Sequence, residues 1–196
     1  MLRTPAPLKG ALDCANSVVA CPTTCEVPTG SMLERCRAAK AYVDCYKASC
    51  ERPASFAGFV EAFYSSPIFK LERGILGLVL SKGASDEDAR ALAENRNQRF
   101  AIWKVEERNE TEILLSTGRT RSWLMVGPPT EPNGLGVTLF FGSAVFPPSR
   151  SGSGMGLPFN ALLGFHKLYP KALLASAVSR LPDIQAQARA GTGDPH

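Results

Sequence analysis

The chain has 196 residues, enough for one domain of ordinary size, and its 44% hydrophobic and 20% charged residues exclude wholesale disorder and a fibrous protein. The excess of 22 Lys and Arg over 18 Asp and Glu is small and scattered, so no nucleic-acid partner is expected. No apolar run approaches the ~20 residues of a membrane-spanning helix, and the N-terminus lacks the apolar centre of a secretory signal. We therefore expect a soluble protein, cytoplasmic or organellar rather than secreted.

The first forty residues combine scattered prolines and small residues without sustained periodicity, which predicts an irregular N-terminal arm (1–40) with one short helix near 32–39. All six cysteines lie within the first 50 residues. They form no CxxC pair, and both histidines are far away in sequence, so no metal site is predicted. Free thiols and disulfides both stay open, because six cysteines allow many pairings and their spacing does not choose among them.

Helical and strand patterns begin after the arm. Residues 41–50 alternate as a strand whose even-numbered side chains share one face. Ser55 then precedes hydrophobic residues at spacings of three and four, which predicts a capped helix buried on one side. A second helix is predicted over 68–80, and a capping box at Ser85 predicts a third through residue 93.

The pattern changes from helical to strand-like after residue 95. Segments rich in β-branched and aromatic residues, separated by turn residues, predict an antiparallel meander over 99–107, 112–116, 119–126 and 137–146. A Gly- and Ser-rich loop over 147–156 then leads to a closing helix over 157–181, which Pro170 kinks or restarts.

This order of elements predicts an α+β domain over residues 41–181, followed by a flexible tail over 182–196. We expect a curved antiparallel β-sheet (β-α-α-meander) gripping the long C-terminal helix. A helix laid across a curved sheet leaves an apolar cavity between them, which is the kind of site in which hydrophobic ligands bind.

Several local motifs within roughly residues 41–181 are similar to an uncharacterised bacterial branch of a known superfamily. They are Phe59-Val-Glu-Ala-Phe-Tyr64, Phe69-Lys-Leu-Glu-Arg73, Gly118-Arg-Thr-Arg-Ser-Trp-Leu-Met-Val126, Phe141-Gly-Ser-Ala-Val145 and Leu163-Gly-Phe-His-Lys-Leu-Tyr169. The order of elements resembles the helix-grip fold of this START, plant-allergen and polyketide-cyclase (SRPBCC) superfamily. The resemblance implies a ligand cavity and assigns no reaction.

Alternation along one strand places Arg119, Arg121 and Trp123 on one face, where they are candidates for ligand binding. A guanidinium in the cavity would hold a carboxylate, phosphate or enolate oxygen. The alternative places both arginines in solvent and packs the tryptophan beneath a helix or partner.

His166 and Tyr169 lie on the closing helix and are further candidates for ligand binding. His166 is also the candidate acid or base, and the alternative makes it a hydrogen-bonded core residue. Cavity hydroxyl groups would come from Tyr64, Tyr169, Ser122 and Ser143, and the alternative makes each an ordinary packing or strand residue.

We therefore expect the protein to bind or carry a hydrophobic small molecule, of a lipid, polyketide, isoprenoid or pigment-like class. A cyclase, isomerase or hydrolase acting in the same cavity is one alternative. A non-catalytic accessory subunit, which meets a larger protein assembly through the N-terminal arm, is another. No cofactor and no metal are predicted.

Overall fold

The computed structural model describes residues 21–69, 84–130, 136–147 and 169–191. Within these residues, seven strands form one antiparallel sheet in the order β1-β2-β7-β6-β5-β4-β3. The elements, in chain order, are β1 (Thr23–Thr24), α1 (Met32–Ala38), β2 (Tyr42–Cys50), α2 (Phe56–Tyr64), α3 (Asp86–Ala93), β3 (Arg99–Phe100), β4 (Trp103–Arg108), β5 (Glu112–Thr117), β6 (Thr120–Pro129), β7 (Val137–Val145) and α4 (Tyr169–Gly191). The predicted α+β class, with an antiparallel sheet and a C-terminal helix, is confirmed.

The helix starts follow the local sequence. The Ser55 side chain accepts a hydrogen bond from the Gly58 N–H at the start of α2. At the start of α3, Ser85 and Asp88 each accept a hydrogen bond from the other's backbone N–H, which is the predicted capping box. Each cap satisfies backbone donors that the first helical turn leaves unpaired.

One face of the sheet, here called the helix-covered face, is buried beneath α2, α3 and α4. α4 packs against α2 and against strands β2 and β7. Burial of each large apolar side chain here stabilises the fold by about 1.5–3 kcal/mol relative to exposure. Fully buried members of this layer include Phe59, Phe63, Tyr64, Phe100, Ile113, Leu115, Leu124, Leu139 and Leu174.

The opposite face, here called the back face, is covered by α1. Met32, Leu33 and Cys36 form the buried stripe of this short helix, close to the helix predicted over residues 32–39. α1 is therefore a packed layer of the domain and β1 pairs with its sheet, whereas the sequence predicted that the domain begins at residue 41. A seven-residue helix gives a weak periodic signal, and its packing partners lie on strands far along the chain.

Gly142 on β7 lets α1 approach the back face closely. A Cβ atom at this position would lie 2.3 Å from Cδ2 of Leu33 and 2.9 Å from the carbonyl oxygen of Asp44. Cβ atoms in proteins essentially never make contacts this short, so the glycine allows the close spacing between α1 and the sheet.

Two sequence boundaries differ from those in the structure. The first predicted strand of the meander is divided by a two-residue turn, where Phe100 pairs with Trp103 and Ala101 has a φ of 50°. Alanine seldom adopts this left-handed conformation, so no turn signal marked the position. At the other end, α4 continues past residue 181 to Gly191, where a flexible tail was predicted.

Several predicted segments lie outside the described residues. They are the helix from residue 70 to 80, the Gly- and Ser-rich loop from 148 to 156, and the closing helix from 157 to 168. In the part of the chain that is described, no helix combines the length and hydropathy needed to cross a membrane.

Candidate functional site

Two of the residues predicted to bind a ligand, Arg121 and Trp123, lie on the back face. Trp123 is fully buried, and its Nε1–H donates a hydrogen bond of 2.7 Å to Glu112. The Arg121 guanidinium lies 5.0 Å from the Phe146 ring centroid and pairs with Glu106, with 2.6 Å between Nε and Oε2. The N–H does not point at that oxygen, so this contact is an ion pair without a hydrogen bond.

Strand alternation places Arg121 and Trp123 on one face, as predicted. That face, however, is covered by α1 and not by α4. Both side chains point away from the space where the cavity was expected. Arg119 is exposed in the turn between β5 and β6. A role in ligand binding stays a prediction for these residues, and it would place the ligand away from α4.

The two candidates on the closing helix have different outcomes. His166 lies outside the described residues. Tyr169 is the first residue of α4, half-buried against the apolar layer of the helix-covered face. Of the predicted ligand-binding residues, Tyr169 is therefore the one that the described structure places on this side of the sheet.

A row of polar side chains crosses the helix-covered face. Asp44 on β2 is the register partner of Ser143 on β7, which is the register partner of Ser122 on β6. We call these residues and the adjoining Tyr64 the polar row. Residues from three different strands thereby place a carboxylate and hydroxyl groups in one line on an otherwise apolar surface.

Hydrogen bonds connect the members of the polar row in two pairs. One Asp44 oxygen, Oδ1, accepts from the Ser143 hydroxyl at 2.7 Å and from its backbone N–H at 3.0 Å. The hydroxyl groups of Tyr64 and Ser122 lie 3.2 Å apart, within hydrogen-bonding distance. Among the described residues, no hydrogen bond reaches the other Asp44 oxygen, Oδ2, so it has the capacity to accept one from a ligand.

Aromatic rings border the row on its inner side. The Tyr64 ring lies 5.0 Å from Phe69 and 5.2 Å from Phe100, measured between ring centroids. The Phe63 ring is tilted against that of Phe141, with 4.8 Å between the centroids, and Phe141 lies two residues before Ser143 on β7. Side chains therefore fill the interior between the sheet and α2, which makes this described region a packed core.

On the helix-covered face of β2, side chains become more exposed toward the N-terminal end of the strand. Tyr46 is 4% exposed, Asp44 is half-buried, and Tyr42 is 67% exposed, although all three point to the same face. Tyr42 is the most exposed large hydrophobic side chain among the described residues. The polar row thus lies at the boundary between the packed core and the accessible end of the helix-covered face.

The chemistry available here is hydrogen bonding to a carboxylate and hydroxyl groups. No group of three or more His, Cys, Asp or Glu side chains able to hold a metal occurs among the described residues. Sequence reasoning identified the three hydroxyl groups separately but missed Asp44. Its alternation with two tyrosines was a usable signal, whereas its pairing with Ser143 depends on the order of strands.

Burial raises the pKa of Tyr46 to about 12, and the nearby Asp44 carboxylate adds to the effect. The folded chain favours the neutral phenol, so the raised pKa contributes to the stability of the fold. This contribution is complete below pH 10, the pKa in the unfolded chain, and is lost as the pH rises toward 12. We expect ionisation of Tyr46 to lower the free energy of unfolding by about 1–2 kcal/mol between these pH values. This is less than the full pKa shift would give, because solvent screens part of the interaction.

Urea unfolding at pH 8 and pH 11 measures this loss. Tyr46→Phe should lose less stability than the parent between the two pH values, while the exposed control Tyr42→Phe should behave like the parent. Equal losses in all three proteins would contradict the assignment.

A second concave region lies at the N-terminus of α2 and the β4 edge. This open groove has a volume of about 770 Å³, and its lining includes Phe56, Gln98, Glu107 and Arg108. Its main charges already have partners, because Glu107 pairs with Arg35 and Arg108 donates to the carbonyl oxygens of Leu92 and Ala93. Most charged side chains that line the groove are therefore already paired.

Searches with family models, among curated proteins and among solved structures find no match to the chain. No family is assigned.

Proposed function

We propose that the protein binds a hydrophobic small molecule on the helix-covered face of its sheet, with the polar part of the ligand at the polar row. The observation that carries this proposal is the half-buried Asp44, which lies among the hydroxyl groups of the polar row and beside an aromatic core. Ligand sites commonly combine an apolar wall with a few polar groups that fix orientation.

The order of elements supports an SRPBCC-like helix-grip arrangement as the framework for this site. A long strand, helices, a meander and a C-terminal helix follow one another, and the first long strand pairs with the last strand along its whole length. This pairing brings residues 44 and 143 together near the end of β2 that carries the exposed Tyr42.

The packed interior limits where the ligand lies. Phe63, Tyr64 and Phe141 occupy the space next to α2, so a bound molecule extends from the polar row toward Tyr42 rather than into the centre of the layer. Tyr42 then supplies an apolar surface, and Asp44 accepts a hydrogen bond from the ligand.

Charge selects the chemical class of the ligand. Asp44 is an acceptor and carries a negative charge when ionised, so it favours a ligand that donates a hydrogen bond, such as an alcohol or an amine. A carboxylate ligand would meet a like charge. This differs from the sequence-based expectation, in which an arginine would hold an anionic group.

A matched series of ligands tests the proposal. A fatty alcohol, a fatty amine and a fatty acid of equal chain length would each displace an environment-sensitive hydrophobic dye from the purified protein. We expect the alcohol and the amine to bind more tightly than the acid. Asp44→Ala should weaken binding of the alcohol and amine about tenfold or more, because a hydrogen bond to a charged group is lost.

The exposed carboxylate of Glu110 provides the control, and Glu110→Gln should leave all affinities unchanged. The proposal is wrong if none of the three ligands displaces the dye. It is also wrong if Asp44→Ala binds the alcohol and amine as the parent does while keeping the parent's circular dichroism spectrum.

A further inference from the structure

Two thiol groups meet at the edge of the back face. The Sγ atoms of Cys25 and Cys45 lie 3.4 Å apart, and the Cys25 backbone N–H donates a hydrogen bond of 3.0 Å to the Cys45 carbonyl oxygen. Thr24 pairs with Tyr46, so the two cysteines occupy the next opposed position along β1 and β2. We call these two residues the thiol pair.

The surroundings give the two thiols different access. Cys45 is buried at 4% exposure in the apolar layer beneath α1, while Cys25 is partly exposed at the margin of that layer. A reagent in solution therefore reaches Cys25 first, and Cys45 lies behind it within reach of any adduct that forms there.

The electrostatic surroundings also favour reaction at Cys25 before Cys45. The contact with Cys45, which can donate its S–H to a thiolate, lowers the pKa of Cys25 despite the opposing effects of partial burial and Glu26, and the charge of Lys47 lowers it further. The same contact and burial raise the pKa of Cys45. The more accessible thiol is thus also the one that ionises more readily, and the thiolate is the attacking species in exchange reactions.

We propose that the thiol pair is a site of thiol–disulfide exchange with low-molecular-weight disulfides such as oxidised glutathione. The Cys25 thiolate attacks one sulfur of the reagent, which forms a mixed disulfide and releases one glutathione thiolate. The Cys45 thiol attacks the Cys25 sulfur, which forms the Cys25–Cys45 bond and releases the second glutathione, whose sulfur takes up the Cys45 proton. Two protein thiols are oxidised and one reagent disulfide is reduced to two thiols.

The geometry requires little movement for the second step. Bonded sulfur atoms are about 2.05 Å apart, so the two Sγ atoms must approach by somewhat more than an ångström. The bridge would close the segment from residue 25 to residue 45, which contains the whole of α1. Oxidation would therefore fasten α1 to β2 and hold it against the back face.

The experiment uses the full chain, first reduced and then exposed to oxidised glutathione. We expect the protein to lose the mass of two hydrogen atoms, a crosslink between the peptides that carry Cys25 and Cys45, and a melting temperature raised by about 5–10 °C. Cys45→Ala should stop at the mixed disulfide, with glutathione retained on Cys25. Cys25→Ser should form no crosslink to Cys45.

Cys21→Ser is the matched control, because Cys21 is an exposed cysteine close by in sequence, and this variant should still form the bridge. Far-UV circular dichroism of each reduced variant checks that the fold is kept. A crosslink from Cys21 to Cys45, or a parent chain in which glutathione stays on Cys25 without a bridge, would overturn the proposal.

Discussion

Replacing Glu112 with alanine is expected to lower the free energy of unfolding by about 2–4 kcal/mol. The Glu112 side chain is buried between α1 and the sheet, where Oε2 accepts hydrogen bonds from the Met32 backbone N–H at 3.0 Å and from Trp123 Nε1–H at 2.7 Å. Alanine would leave both buried donors without an acceptor. The same carboxylate also provides negative charge at the first turn of α1, which favours the helix.

Two further variants isolate the cause of this loss. Glu112→Gln keeps an acceptor oxygen and should cost less than alanine. Glu107→Ala removes an exposed partner of Arg35 on the same side of the sheet and should cost clearly less, because solvent screens this pair. Urea unfolding followed by tryptophan fluorescence provides the measurement. Similar values for Glu112→Ala and Glu107→Ala would show that Glu112 does not anchor α1.

The second large effect is expected at Phe63, where alanine should lower the free energy of unfolding by about 3–5 kcal/mol. This fully buried ring connects α2 with the sheet, since its centroid lies 5.2 Å from that of Tyr64 and 4.8 Å from that of Phe141. Removal of the ring leaves a cavity that the neighbouring rings fill only in part.

Phe56→Ala is the matched control on the same helix. The Phe56 ring is half-buried, and the Arg108 guanidinium lies over it, 5.1 Å from the ring centroid. Truncation of Phe56 should therefore lower the free energy of unfolding clearly less than truncation of Phe63. Urea unfolding of both variants gives the comparison. Equal losses would indicate that the apolar layer is not packed around Phe63.

Local signals predicted much of the helix-covered layer from the sequence. The alternation in residues 41–50 placed Asp44 and Tyr46 on one face correctly, and Ser55 and Ser85 marked the helix starts. These features depend on neighbours a few residues away. They can therefore be derived from propensity, capping and periodicity alone.

The candidate site was less accessible to such reasoning because it joins distant parts of the chain. The hydrogen bonds between Asp44 and Ser143 span 99 positions, and that between Met32 and Glu112 spans 80. Alternation showed that Arg121 and Trp123 share a face but not which helix covers it. Strand order and the docking of α1 decide that question, and neither leaves a local pattern in the sequence.

The position of β2 has a consequence for how the chain is made. All nine residues of this strand pair with β7, and on its other side β2 meets only the two residues of β1. During synthesis at about 5–20 residues per second, the ribosome needs roughly 5–20 s to advance from β2 to β7. A nascent chain that has reached β6 still lacks the partner of its first long strand. β2 therefore gains its main partner only after β7 has been synthesised, and an unpaired strand rich in tyrosine and cysteine stays open to incorrect pairing until then.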